Sequence, residues 1–181
     1  MIYLIGSMRN PQIPIIANRL RKEGFDIFDD WYSPGKNADD EWQIYEQQRG
    51  RPYREAIKGY HAEEVFTFDK THLDRCDAAV LTCPAGKSAH MELGYIIGSS
   101  KPGYILLPGE PERFDIMYRF ATEIFLNVEE LIECLSVNGQ AKLEKATSML
   151  PEKHQERLMN YLYEKGPTEL SVGMKSWGMK R

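Results

Sequence analysis

The chain is short of several things, and each shortage narrows what it can be. Among 181 residues there are three cysteines, Cys76, Cys83 and Cys134, an odd and scattered set. They build no disulfide framework and are expected to be reduced thiols of a cytoplasmic protein. No apolar run reaches the roughly 18 residues that a membrane span needs, so no membrane partner is expected. The opening Met1-Ile2-Tyr3-Leu4-Ile5-Gly6 lacks a basic region and a long apolar stretch, so no secretory leader is expected either. Charge of one sign is also missing. The formal net charge is −4, which offers nothing to duplex nucleic acid. A mildly basic tail, with eight Lys/Arg against five Asp/Glu in residues 140–181, reads as a solvated face.

What is present is an alternating pattern. Ile2–Ile5 is a short apolar run stopped by Gly6-Ser7, which fits a buried strand. Ile13, Ile16, Ala17 and Leu20 then recur at helical spacing from about Pro11 to Lys22, with Gly24 as the stop. Phe25–Phe28 reads as a second strand, Asp77–Thr82 as a third, Tyr104–Leu107 as a fourth and Glu123–Leu126 as a fifth. Tyr53 to about Val65 and Ala89 to about Ile97 read as helices between strands, and Asn127 with Glu130 resembles a capping box opening a helix Val128–Leu135. Strands alternating with helices predict an α/β fold: a five-stranded parallel sheet covered on both faces, in flavodoxin-like or Rossmann-like order. Residues 29–52 interrupt the pattern with Asp29, Asp30, Pro34, Gly35, Asn37, Asp39 and Asp40, and with Trp31, Tyr32 and Trp42 set among them. They are expected to form an inserted loop or lid. The α/β domain is expected over 1–135. Residues 136–181 would be a helical extension and tail, broken near Pro151, with Trp177 free to dock on a partner.

Two motifs are incomplete, and the missing pieces are decisive. Gly86-Lys87-Ser88 after an apolar strand suggests a nucleotide phosphate loop. That loop needs a first glycine five positions before Gly86, where the backbone wraps around phosphate, and this chain has Leu81 there. His61-Ala62-Glu63 and His90-Met91-Glu92 copy the H-x-E of zinc deaminases. The accompanying C-x-x-C does not exist, because Cys76 and Cys83 stand seven apart, so no metal is expected and His61 reads as an ordinary helix residue. The strand–loop–helix junction itself still matters, since parallel sheets bind ligands at the carboxyl ends of their strands and helix starts attract anions. Glu92 lies in the first turns of the helix at that junction, and Asp69 precedes the same strand. An acid near a helix start can be there for the dipole alone. Two carboxylates flanking a sugar are also the usual equipment of glycosidic chemistry. In the first loop, Gly6 permits close approach of a ligand, Ser7 supplies a hydroxyl and Arg9 a fork for phosphate.

Three blocks give a resemblance to a known family. Ile2-Tyr3-Leu4-Ile5-Gly6-Ser7-Met8-Arg9, Asp69 at eight residues before Asp77, and Glu92-Leu93-Gly94 together resemble the nucleoside 2-deoxyribosyltransferase superfamily. That superfamily also contains the 2'-deoxynucleoside 5'-phosphate N-hydrolases. The segment from Glu112 to Met117 is similar to a Met-bearing loop near the base. The likeness covers residues 1–135 and leaves out 29–52 and the tail.

The resemblance implies roles. Glu92 would attack C1' of a (deoxy)nucleoside or its 5'-monophosphate, Asp69 would help protonate the leaving base, and Tyr3 would pack by the sugar and hold Glu92. Gly6, Ser7 and Arg9 would surround the 5' end, with Gly86, Lys87, Ser88, His90 and Met117 as further substrate contacts. No cofactor is implied, the partner is a small-molecule nucleoside or nucleotide, and sites in this family are usually built at dimer interfaces, so a homo-oligomer is expected. One departure bears on the substrate. Transferases of free nucleosides carry an acid six residues before the glutamate, where this chain has Gly86, and the monophosphate hydrolases carry a serine there. Here Ser88 stands four residues before Glu92, with Lys87 and His90 close by. A hydroxyl-bearing, cationic loop suits a 5'-phosphate. Two alternatives remain beside this reading: a TIR-like NAD glycohydrolase, and a nucleotide-binding sensor in which Glu92 is only structural.

Overall fold

The computed structural model describes residues 1–148 and Gln155. Five strands, β1 (Ile2–Ile5), β2 (Ile27–Phe28), β3 (Ala78–Thr82), β4 (Gly103–Leu106) and β5 (Glu123–Phe125), form one sheet in the order β2-β1-β3-β4-β5. Every pairing is parallel, so the expected α/β fold is the one observed. β3 is buried along its whole length, which is why Ala-Ala-Val-Leu-Thr shows no polar alternation. The chain leaves β1 toward one edge, to β2, and then crosses to β3 on the other side. The loops after β1 and β3 therefore diverge at a topological switch point, where folds of this kind bind ligands.

Helices cover the sheet. α1 (Gln12–Lys22) buries Ile13, Ala17 and Leu20, the stripe legible in the sequence. α4 (Tyr60–Arg75) and α5 (Lys87–Gly98) run beside each other, tied by Tyr95 donating to Asp74 at 2.5 Å and Lys70 donating to Tyr95 at 3.0 Å. α5 lies close on β4. A Cβ at Gly103 would sit 2.7 Å from Ile97 and 2.9 Å from Leu93, so only glycine allows that approach. α6 (Val128–Ser148) opens on half of the expected capping box: the Glu130 N–H donates to Asn127 Oδ1 at 2.9 Å, while the Glu130 carboxylate accepts from the N–H of Leu126, one residue before the cap, at 3.0 Å.

Several boundaries differ from the sequence reading. β2 is two residues long, not four. The segment 53–65 is two helices, α3 (Tyr53–Ala56) and α4, separated at Gly59. α6 runs past residue 135 to Ser148. The rest of the extension, with Pro151 and Trp177, lies outside the described residues.

The main correction concerns residues 29–52. They contain a short 3-10 turn (Asp30–Tyr32) and an eleven-residue helix, α2 (Ala38–Gln48), rather than an irregular loop. Asp39, Asp40 and Glu41 fall in the first turn of α2, where acids favour a helix, so the polar residues that suggested a loop are helix-starting ones. Glu46 is buried and paired with Arg51 at 2.6 Å, which closes the far end.

Trp31 ties this segment to the sheet. The Ile2 N–H donates to Asp26 O, so the even-numbered residues of β1 point their backbone groups toward β2. The ladder ends at the Tyr3–Phe28 pair, leaving the Leu4 carbonyl without a strand partner on that side. The buried Trp31 indole Nε1–H donates to it at 2.7 Å, satisfying a group that would otherwise be orphaned. Trp31→Phe removes the donor and keeps most of the packing. It should lower stability by about 1–3 kcal/mol, read as a lower urea midpoint at unchanged slope.

Candidate functional site

The side chains gather at two adjoining places. The first is a group of acids with one phenol. Tyr3, buried in β1, donates its hydroxyl to Asp69 Oδ1 of α4 at 3.3 Å, and its ring packs 5.0 Å from that of Phe28. Phe28 in turn stacks on His72 of α4 at 3.9 Å. Burial, then the charges of Asp69 and Glu92, push the Tyr3 phenol far above its ordinary value, so it stays a neutral donor. Burial also raises the Asp69 carboxyl, and the Tyr3 hydroxyl and His72 oppose that rise in part.

Glu92 completes this group from α5. Burial, and then the neighbouring charge of Asp69, push its carboxyl up to about 7. Among the described residues Glu92 has no hydrogen bond or ion pair with a side chain. A partly buried acid without a compensating cation favours its protonated form, and a second acid nearby reinforces the preference. Glu92 therefore holds a proton at pH values where a free acid has none.

The second place is a cavity of about 210 Å³ lined by Ser7, Arg9, Asn10, Pro84, Ala85 and Gly86. It sits between the loops after β1 and β3, at the switch point. Gly6 is constrained here, since a Cβ would overlap the Cδ1 of Ile13. Ser7 Oγ accepts the Arg9 N–H at 3.2 Å, folding the loop back on itself. Arg9 extends outward and grips both carboxylate oxygens of Asp40, on α2, at 2.8 and 2.9 Å. Asn10 is buried. Its Oδ1 accepts the Gln12 N–H at 3.0 Å, while its Nδ2 finds no acceptor.

The other sequence-predicted residues divide. Gly86 lines the cavity and precedes α5 in an extended conformation. Lys87 and Ser88 are exposed in the first turn of α5 and do not line it. His90 is held from both sides: its Nδ1 lies 2.7 Å from Gly86 O and its Nε2 2.9 Å from the Tyr118 hydroxyl. A carbonyl only accepts, so in the neutral ring Nδ1 carries the proton and Nε2 accepts from Tyr118. Met117 is exposed in the 3-10 turn Ile116–Phe120, next to Tyr118. Glu92 does not line the cavity.

Three residues of the site escape sequence reasoning. Tyr118 is brought to His90 and Cys83 by a turn 28 residues beyond His90. Asn10 directly follows Arg9, but nothing in the sequence says its amide is buried. Asp40 is one of several acids in its segment, and only the fold sets it on Arg9. Among the described residues no group of three or more His, Cys, Asp or Glu is placed to hold a metal ion, and no helix is long and apolar enough to cross a membrane.

No model of a known protein family matches the chain, and no curated protein matches it either.

The raised Glu92 carboxyl has a consequence for stability. The folded state holds its proton more tightly than the unfolded chain, so that contribution is complete below about pH 4.5 and is lost as pH rises through about 7. Glu92→Gln removes the burden of burying the charge. Its melting temperature should match that of the parent near pH 4.5 and exceed it increasingly up to pH 8. Equal melting curves at pH 8 would show that Glu92 is not desolvated.

Proposed function

We propose that the chain cleaves the N-glycosidic bond of a (deoxy)nucleoside 5'-monophosphate, with Glu92 as nucleophile. The observation that carries this reading is the group of buried Tyr3 with half-buried Asp69 and Glu92, its two carboxyls raised, together with a cavity that Ser7 and Arg9 line. A sugar phosphate spanning the two places would put its 5' end at the cavity and C1' at the acids.

The chemistry follows from the two acids. Glu92, ionised, attacks C1'. The bond from C1' to the base nitrogen breaks, its electrons leave with the base, and Asp69 supplies the proton that makes the base a neutral leaving group. In the free protein the proton resides more readily on Glu92. Developing positive charge at C1' favours the Glu92 carboxylate, which moves that proton's place to Asp69. Water or a second base then attacks C1', the ester to Glu92 opens, and Asp69 takes back a proton. Tyr3 is a positioning residue that fixes Asp69 through its hydroxyl. The low exposure of the trio strengthens each of these electrostatic effects.

The reading includes a homo-oligomer in the cytoplasm. Tyr60, Phe66, Phe68 and Met91 leave large apolar surface in water along α4 and α5, with Tyr60 at 80% and Met91 at 77% exposure. Exposed large apolar side chains on such helices support contact with another copy.

Chromatography of the protein with nucleosides, their 5'-monophosphates and NAD, each with and without an acceptor base, tests the activity. Base release is expected, greatest from a monophosphate. Glu92→Ala should abolish it and Asp69→Asn should slow it by roughly 10²–10⁴-fold. No release from any compound at high protein concentration overturns the reading, and release that survives Glu92→Ala overturns the nucleophile. Because one proton must remain on the two acids, kcat/KM should fall about tenfold per pH unit above about pH 7, where that proton is lost.

A further inference from the structure

We propose that Asp40, on the inserted helix α2, occupies the phosphate position in the ligand-free protein, and that a phosphate monoester displaces it from Arg9 while gaining Asn10 Nδ2 as a second donor. The inference rests on the reading above for what the ligand is, and adds a latch to that same site.

Three observations carry it. Arg9 Nη2 spends itself on both oxygens of Asp40. A carboxylate held on one guanidinium nitrogen makes the contact that a phosphate oxygen would make. Arg9 lines the cavity, and Asp40, from outside its lining, is the anion that Arg9 holds. Next, Asn10 is 5% exposed and lines the same cavity. Its Oδ1 is fixed by the Gln12 N–H, which settles that the free end is the NH2. That donor has no acceptor among the described residues, and an oxygen of a cavity ligand would supply one. Finally, among the described residues the Arg9–Asp40 pair is the hydrogen-bonded link between α2 and the sheet domain. The pair is solvent-exposed on both sides and so is weak. The buried Trp42 Nε1 of the same helix also lacks a partner, so the docked position of α2 leaves one of its own donors unsatisfied.

Asp40 and a dianionic phosphate repel each other and compete for Arg9 Nη2, so each weakens the other's hold there. Binding of the ligand releases α2, and the closed helix disfavours ligands that lack a charge able to compete. Free nucleosides have none. The helix thereby selects for the phosphate.

Calorimetric titration with inorganic phosphate at low ionic strength tests the latch without any cleavage step. Asp40→Asn, an exposed and nearly isosteric change, should tighten phosphate by about five- to tenfold. In hydrogen-exchange mass spectrometry phosphate should speed exchange in residues 38–48 of the parent, and Asp40→Asn should show the faster exchange with no phosphate added. Unchanged or weaker phosphate binding in Asp40→Asn, or exchange in 38–48 that phosphate leaves unaltered, overturns the latch. If base release is absent throughout but these shifts occur, the latch stands and the glycosidic reading falls. If base is released and phosphate does not bind, the latch alone falls.

Discussion

Everything at the site depends on the parallel pairing of β1 with β3. The register from Ile2 opposite Ala78 to Ile5 opposite Leu81 sets two strand ends level, although 76 residues separate each pair. That level ending places the Gly6–Asn10 loop against the loop from Cys83 to Gly86, and the cavity is the space between them. The same ladder fixes Tyr3 in the second position of β1, from which its hydroxyl reaches Asp69 on α4. A slip of one residue would turn Tyr3 to the other face of the sheet and remove it from the acids. The full burial of β3 makes such a slip costly, since every side chain of the strand is already in the core.

The two halves of the site have opposite electrical character. On the acid side, burial leaves Glu92 and Asp69 with raised pKa values and only a phenol and an imidazole to moderate them. On the cavity side, Arg9 and the Asn10 amide present donors, and an acid from the same chain already answers the stronger one. A molecule with an anionic end and an incipiently cationic centre is complementary to both halves at once. Neither half would be distinctive alone. A raised acid is found in many cores, and an arginine in a surface loop is commonplace.

Much of this was legible in the sequence because it is local. The stripe of α1, the apolar β3, the capping box of α6 and the five-strand count all follow from spacing of two or 3.6 residues. The missing glycine at Leu81 excluded a nucleotide loop from spacing alone, and the blocks around Tyr3, Asp69 and Glu92 named a phenol and two acids that lie near one another. What was not legible is what depends on distant pairing. The acids of 38–41 look like loop composition until a helix start explains them. Trp31 looks like a lid aromatic until the short β2 leaves the Leu4 carbonyl in need of a donor. Asn10 and Tyr118 carry no spacing signal at all, since their roles arise from what is absent around the one and 28 residues before the other.

The segment 29–52 makes up about half of the crossover between Phe28 and Ala78. The entropy of closing a chain segment grows only with the logarithm of its length, so doubling this crossover opposes folding by about 0.6 kcal/mol. One indole hydrogen bond to the sheet is of the size needed to offset that. A connection on the outer side of the β2 edge is therefore a place where this architecture can acquire a new element near its site while the central strands keep their register unchanged.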